Sequence, residues 1–298
     1  MPMSDAPEIT GSFADRIVDR ILRGLIGAAL RLPYERRVAF MGALVRRVIG
    51  PLFGYRRRAE TNLALIYPDM SPGTRRRLAN AVCDNFGRTL IENYSWAEFD
   101  ARLTQIKASG EGLAAIAAAK AAGRPVIFVT GHFGNHEAPR HVLTQMGYDI
   151  GGLYRPMTNA YFNDHYARTM TAWGGPVFAQ GRRGTMGFVR HLKDGGMGTL
   201  LFDVAAPDGV MLDFMGQPAS TMTSAADMAL KLDALVIPYF GVRRADGLSF
   251  DVIVQAPIAP ADPIVMMQDM TDRLSAMVAA HPEQWFWIHR RWKTYPKP

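Results

Sequence analysis

The segment Gly131-His132-Phe133-Gly134-Asn135-His136-Glu137 sets a histidine five residues ahead of a glutamate. On one continuous helix such residues would point about 140° apart, since each residue turns about 100°. Gly131, Gly134 and Asn135 break any helix here. His132 therefore belongs to a loop and Glu137 to the first turn of a helix running on to Met146, where the two side chains can meet. A carboxylate that accepts one imidazole N–H fixes the tautomer and leaves the other nitrogen free as a base. A second arrangement would use His132, His136 and Glu137 as zinc ligands. The helical zinc motifs need a continuous helix, which Gly134 and Asn135 disfavour, and no third cluster of ligands stands out, so no metal or other cofactor is expected.

Further chemistry-bearing residues follow other apolar runs. Arg155, in Tyr154-Arg155-Pro156, reads as a surface arginine on a loop or as a group suited to a phosphate or an oxyanion, and Asp203 ends the run from Thr199. Asn135 in the His132 loop and Arg182, of the pair Arg182-Arg183, are weaker candidates for substrate contact. The segment Pro282-Glu283-Gln284-Trp285-Phe286-Trp287-Ile288-His289-Arg290-Arg291-Trp292-Lys293 mixes Trp with cations, which suits either a lipid headgroup or membrane belt or packing on a sheet. No nucleophile elbow, phosphate loop or dinucleotide glycine fingerprint occurs.

These residues must be positioned by strands and helices. Val126–Thr130, short and β-branched between Gly123-Arg124-Pro125 and Gly131, reads as a buried strand, which puts His132 at the carboxyl end where open α/β sheets do their chemistry. Strands are expected at Ile150–Tyr154, Val177–Ala179, Thr199–Asp203 and Leu235–Val242, with Ser249–Gln255 as an edge strand and Val210–Met215 extended. Helices are expected at Leu113–Ala122, Asn159–Ala172, Thr185–Leu192, Ser224–Leu232 and Pro263–Ala280. The alternation predicts an α/β fold, a central, mostly parallel sheet flanked by helices. Residues 1–12 read as a flexible start. Residues 13–100 read as a helical extension broken at Pro33, Pro51–Gly54 and Ser71–Gly73, and 101–298 as the α/β core, in one continuous domain.

Charge separates the two regions. From Arg16 to Arg58 there are eleven arginines against Asp19 and Glu35, a local excess of +9 in a chain of net charge +7. The cations alternate with apolar faces such as Phe13, Ile17, Ile21 and Leu25, which argues against nucleic acid and for the surface of an anionic membrane. Neither the amphipathic segment before Pro33 nor the one from Val38 to Ile49 offers the ~18 uncharged residues that a spanning helix needs. One cysteine, Cys83, excludes an internal disulfide, and no signal peptide is evident.

Taken together, the motifs resemble the late (secondary) acyltransferases of lipid A, within the lysophospholipid acyltransferase superfamily. The resemblance rests on Arg58 with Asn62-Leu63 and Tyr67-Pro68, on the His-x4-Glu of 132–137, on Tyr154-Arg155-Pro156 and Asp203, on Phe214–Ala219 and on Pro282–Lys293. His136, Val204, Asp213 and Ser224 depart from the family pattern around the crevice, so they bear on the acceptor rather than on the reaction. The resemblance implies transfer of a fatty acyl group from an acyl carrier protein thioester to a hydroxyl of a membrane glycolipid precursor, at the cytoplasmic face of a bacterial inner membrane. In that scheme His132 is the general base and Glu137 orients it, Arg155 holds phosphate or oxyanion charge, and Asp203 supports from behind. The alternatives are a metal-dependent hydrolase using His132, His136 and Glu137 and an inactive lipid-binding protein on the same fold.

Overall fold

Val126–Thr130 is buried at every position, and the architecture is arranged around it. The computed structural model describes residues 11–172 and 175–293. Six helices come first: α1 (Phe13–Leu30), α2 (Tyr34–Leu44), α3 (Gly50–Leu52), α4 (Tyr55–Ile66), α5 (Pro72–Tyr94) and α6 (Trp96–Leu103). A π-helical turn, Val45–Ile49, joins α2 to α3. The chain then alternates through β1 (Ala108–Ser109), α7 (Gly112–Ala121), β2 (Val126–Thr130), α8 (Ala138–Gln145), β3 (Ile150–Tyr154), α9 (Ala160–Thr171), β4 (Val177–Ala179), α10 (Arg182–Lys193) and β5 (Met197–Leu201). It finishes with β6 (Val210–Phe214), β7 (Gln217–Thr221), α11 (Ser224–Leu232), β8 (Leu235–Arg243), β9 (Phe250–Val254) and α12 (Pro263–Ala280).

The seven-stranded sheet has the order β1-β9-β8-β2-β5-β3-β4. Strands β8, β2, β5, β3 and β4 run parallel, whereas β9 is antiparallel to β8 and carries β1 parallel to itself. A strand buried on both faces should be apolar throughout rather than alternating, and β2 is. Val126 and Phe128 pack with Ile116 of α7 and Leu143 of α8. Ile127 and Val129 pack on the other face with Phe188 of α10, Ala226 of α11 and Met267 of α12. The period of two along one strand thus separates two helical layers.

The helical extension is built onto this sandwich. Leu63 of α4 and Cys83 of α5 share a core with Phe133, Phe240, Trp285 and Trp287, and α1, α2, α5 and α6 close over Phe250 and Val252 of β9. Three expectations shift. The outer strand is β1, so β9 is covered instead of forming the edge, a pairing too short to read from two residues. The strand expected to end at Asp203 ends at Leu201, which frees Asp203 for the loop beyond. Val210–Phe214 is half of a separate antiparallel hairpin with β7. Of the start expected to be flexible, residues 1–10 lie outside the described residues. Ser12 already caps α1, its side chain accepting from the Asp15 amide while the Asp15 carboxylate accepts from the Ser12 amide.

Candidate active site

His132 and Asp203 face one another because of strand register. In the parallel pair β2–β5, Thr130 lies opposite Leu201. His132 and Asp203, each two residues further, therefore emerge side by side at the carboxyl edge of the sheet. Asp203 Oδ1 accepts from His132 Nδ1 at 2.8 Å, and Oδ2 accepts from the backbone amide of His132 at 2.7 Å. The indole Nε1 of Trp285 also donates to Oδ2, at 2.9 Å. The His132 side chain is 32% exposed and that of Asp203 only 1%. Burial works against charge on Asp203, but the His132 ring, its N–H groups and His289 outweigh it and hold the carboxyl well below the usual carboxylate range. An ionised carboxylate on Nδ1 keeps the proton there and leaves Nε2 as the acceptor. Nε2 has no hydrogen-bond partner among the described residues.

This corrects the expected pairing. Glu137 is not the imidazole's Nδ1 partner. It is the residue immediately before α8, and its carboxylate lies 3.4 Å from Arg140 Nη1 and 3.8 Å from His136 Nε2. The reason is the loop path. Gly134, in the left-handed region at φ 54°, sits so close to β8 that an added Cβ would stand 1.9 Å from the Gly241 carbonyl oxygen. That turn carries residues 135–137 against β8, since the Asn135 amide donates to Gly241.

Asn135, expected to touch substrate, is fully buried. Its Nδ2 donates to Glu92 at 2.9 Å, and its Oδ1 accepts from the Glu137 amide at 3.0 Å. Glu92 is paired in turn with Arg243, whose Nη2 lies 2.7 Å from Oε2. Thr89 and Asn85 donate to the Gly134 carbonyl. Asn85, Thr89 and Glu92 recur at i, i+4 and i+7, a polar stripe on the inward face of α5 that braces the loop. The spacing was visible in the sequence, but no apolar pattern marks a polar face as inward.

The C-terminal segment forms the other wall. Phe286 donates its amide to the His132 carbonyl and Gly134 donates to the carbonyl of Gln284. Trp285 and Trp287 are wholly buried, so these two indoles are core residues and not a membrane belt. Asn62 Nδ2 donates to the carbonyls of Trp287 and His289, and Arg58 donates to that of Ile288. Two residues four apart on α4 thus hold this wall in place. The ring of His289 lies edge-on to His132, with centroids 4.5 Å apart, and burial above all pushes it down to about 3. Burial likewise pushes His136 down to about 4. Both rings are neutral at pH 7.

Arg155 follows β3 at the same sheet edge, exposed and without an ion pair among the described residues. It stands two strands from β2, roughly 10 Å at the usual spacing, within reach of a substrate at His132. Arg182 is the first residue of α10, one strand further out and exposed, and is not brought to His132. The alternative zinc set of His132, His136 and Glu137 is not assembled among the described residues. His132, Asp203 and His289 do present nitrogen and oxygen atoms within 4.8 Å of one another. Three N–H groups already converge on the Asp203 oxygens, which is the geometry of a hydrogen-bonded dyad and a poor fit to a metal ligand.

The sequence model of the bacterial lipid A biosynthesis acyltransferases matches residues 18–294. The chain belongs to that family. It is 25% identical over 295 residues to a lipid A biosynthesis lauroyltransferase of Escherichia coli, covering 92% of this chain and 90% of that one. A lipid A biosynthesis acyltransferase of Haemophilus influenzae is 25% identical over 236 residues, 78% of this chain and 74% of that one. A lipid A biosynthesis myristoyltransferase of Escherichia coli is 21% identical over 244 residues, 80% of this chain and 75% of that one. The matched range holds every site residue named above. Among the described residues no single helix is long and apolar enough to cross a membrane.

Proposed function

We propose that this protein is an O-acyltransferase that moves a fatty acyl chain from an acyl carrier protein thioester to a hydroxyl of a lipid A precursor or a related membrane glycolipid. The observation that carries the mechanism is the 2.8 Å contact between His132 Nδ1 and Asp203. With Nδ1–H held by the carboxylate, Nε2 takes the proton of the acceptor hydroxyl as its oxygen attacks the thioester carbonyl. The new C–O bond forms, the C–S bond breaks, and the imidazolium returns the proton to the departing thiolate. The thioester is already activated, so the exchange needs no metal and no nucleotide. Asp203 orients the base and stabilises its charged form, while Glu137 adds negative charge one step behind, between His136 and Arg140. Arg155 suits an acceptor phosphate or the developing oxyanion.

The carrier protein donor is the one the family resemblance implies, and a net charge of +7 on the enzyme would favour the approach of an acidic carrier. The enzyme works at the cytoplasmic leaflet; among the described residues no single helix is long and apolar enough to span it. The test is incubation of the purified protein with acyl carrier protein thioesters and glycolipid acceptors, with products weighed by mass spectrometry in the presence and absence of a chelator. An ester product made by the wild type, absent with His132→Ala and unaffected by chelation, supports the reading. Zinc-dependent hydrolysis without transfer would replace it with the metal hydrolase.

A further inference from the structure

The basic helical extension does not present its arginines uniformly. On α1, Arg16 donates to the Tyr161 hydroxyl at 2.8 Å, and Arg23 is held by Asp19 at 2.7 Å and by the Tyr161 carbonyl. These cations fasten α1 to α9. A second set of arginines gathers at the bend between α2 and α4, where the axes turn by 84°. Two backbone devices make that bend. The π-helical turn Val45–Ile49 widens the helix end, and Gly54 takes φ 70° to start α4.

Around the bend lies an open basin of about 530 Å³ lined by Arg46, Arg47, Arg56 and Arg77 with Asn80 and Ala81. A second, of about 300 Å³, adjoins it through Arg56 and adds Arg75 and Arg76. The carboxylates facing these six guanidinium groups are Glu60, 3.8 Å from Arg56, and Asp84, 3.9 Å from Arg46. Arg47 and Arg76 have no ion pair or hydrogen bond among the described residues, and the Nε of Arg75 is buried without a partner. The apex of the same bend exposes Val48, Leu52 and Phe53, the last two by 75% and 61%. An aromatic row then leads inward, Phe53 to Tyr55 to Phe86 to Phe286 to His132, with no step between ring centroids longer than 6.3 Å.

We propose that this bend is a phospholipid-docking site, in which Val48, Leu52 and Phe53 enter the acyl layer of a leaflet and the arginine basin holds the phosphate of an anionic phospholipid. Cations by themselves would suit an acidic protein equally. Exposed apolar side chains at the tip of a cationic bend suit a surface that is anionic outside and apolar beneath. Docking here would also set the outer end of the aromatic row against the leaflet, so that His132 faces the lipid phase. The assignment does not depend on the acyl-transfer reading, because lipid binding is measured without turnover.

The test is flotation of the full chain with phosphatidylglycerol or phosphatidylcholine vesicles. Arg47→Gln/Arg76→Gln/Arg77→Gln should lose roughly 100-fold in binding to phosphatidylglycerol, at about fivefold per arginine near an anionic surface, and little to phosphatidylcholine. Leu52→Ser/Phe53→Ser should weaken binding to both. The triple Lys variant, which keeps the charge, should bind phosphatidylglycerol and so separates loss of charge from loss of fold. Undiminished flotation of the Gln variant on phosphatidylglycerol overturns the proposal. So does a Gln variant that keeps this flotation and loses binding to acyl carrier protein, which would make the basin a protein site. A preference seen only when a phosphorylated glycolipid is added also overturns it, since phosphatidylglycerol vesicles contain none.

Discussion

Replacing Asp203 by Asn removes a charge while keeping shape, and the hydrogen bonds around it decide the consequence. Three N–H donors converge on two oxygens: His132 Nδ1 on Oδ1, and the His132 amide with Trp285 Nε1 on Oδ2. Asn has one acceptor oxygen and one amide. If the oxygen meets Nδ1, the amide faces two buried donors, and each unmade bond costs about 1–3 kcal/mol. The favoured orientation therefore puts the oxygen toward the amide and the indole, and the NH₂ toward Nδ1. Nδ1 must then accept, the ring proton moves to Nε2, and the base is gone. A triad carboxylate replaced in this way elsewhere costs about 10⁴ in kcat, and general-base catalysis spans roughly 10²–10⁴. We expect Asp203→Asn to lower kcat by about 10²–10⁴, or ~3–5.5 kcal/mol of barrier, with KM within a few-fold. The assay is transfer from an acyl carrier protein thioester, followed by mass spectrometry, with circular dichroism to verify the fold. A folded Asp203→Asn enzyme within fivefold of wild type would refute the assignment of the imidazole partner.

Glu137→Gln, whose carboxylate lies beside Arg140 and His136, should cost far less than Asp203→Asn in the same assay; the reverse order would restore Glu137 as the orienting group. Gly134→Ala should destabilise by about 2–5 kcal/mol in denaturant titrations, because the left-handed φ and the Gly241 oxygen, 1.9 Å from the added Cβ, both oppose it. Stability should fall as the pH drops. His136 and His289 are pushed down to about 4 and about 3, below their ordinary 6.5, so the unfolded chain binds their protons first. Their contribution is complete above pH 6.5 and is lost as the pH falls toward those values, by up to about 1.4 kcal/mol per pH unit for each ring. Urea midpoints measured at pH 7.5, 6 and 5 should decline; a flat profile would show that neither ring is held neutral.

Legibility in the sequence followed from how local each signal is. The strands Val126–Thr130, Ile150–Tyr154 and Val177–Ala179 and the helix Pro263–Ala280 could be read directly, since short apolar runs and a proline start are written in neighbouring residues. His132 could be found because its glycine-rich loop follows such a run. Its partner could not, because the pairing with Asp203 spans 71 positions and arises from the register of β2 against β5, while Glu137 stands only five away and looked nearer. The same reasoning covers Trp285. Its indole resembles a membrane anchor when read beside its neighbours, yet the antiparallel bridge to Phe133 turns it inward, onto Asp203. Sequence proximity thus favoured Glu137, and the sheet favours Asp203. The contrast between Asp203→Asn and Glu137→Gln therefore tests whether the strand register or the helix start supplies the charge that makes His132 a base.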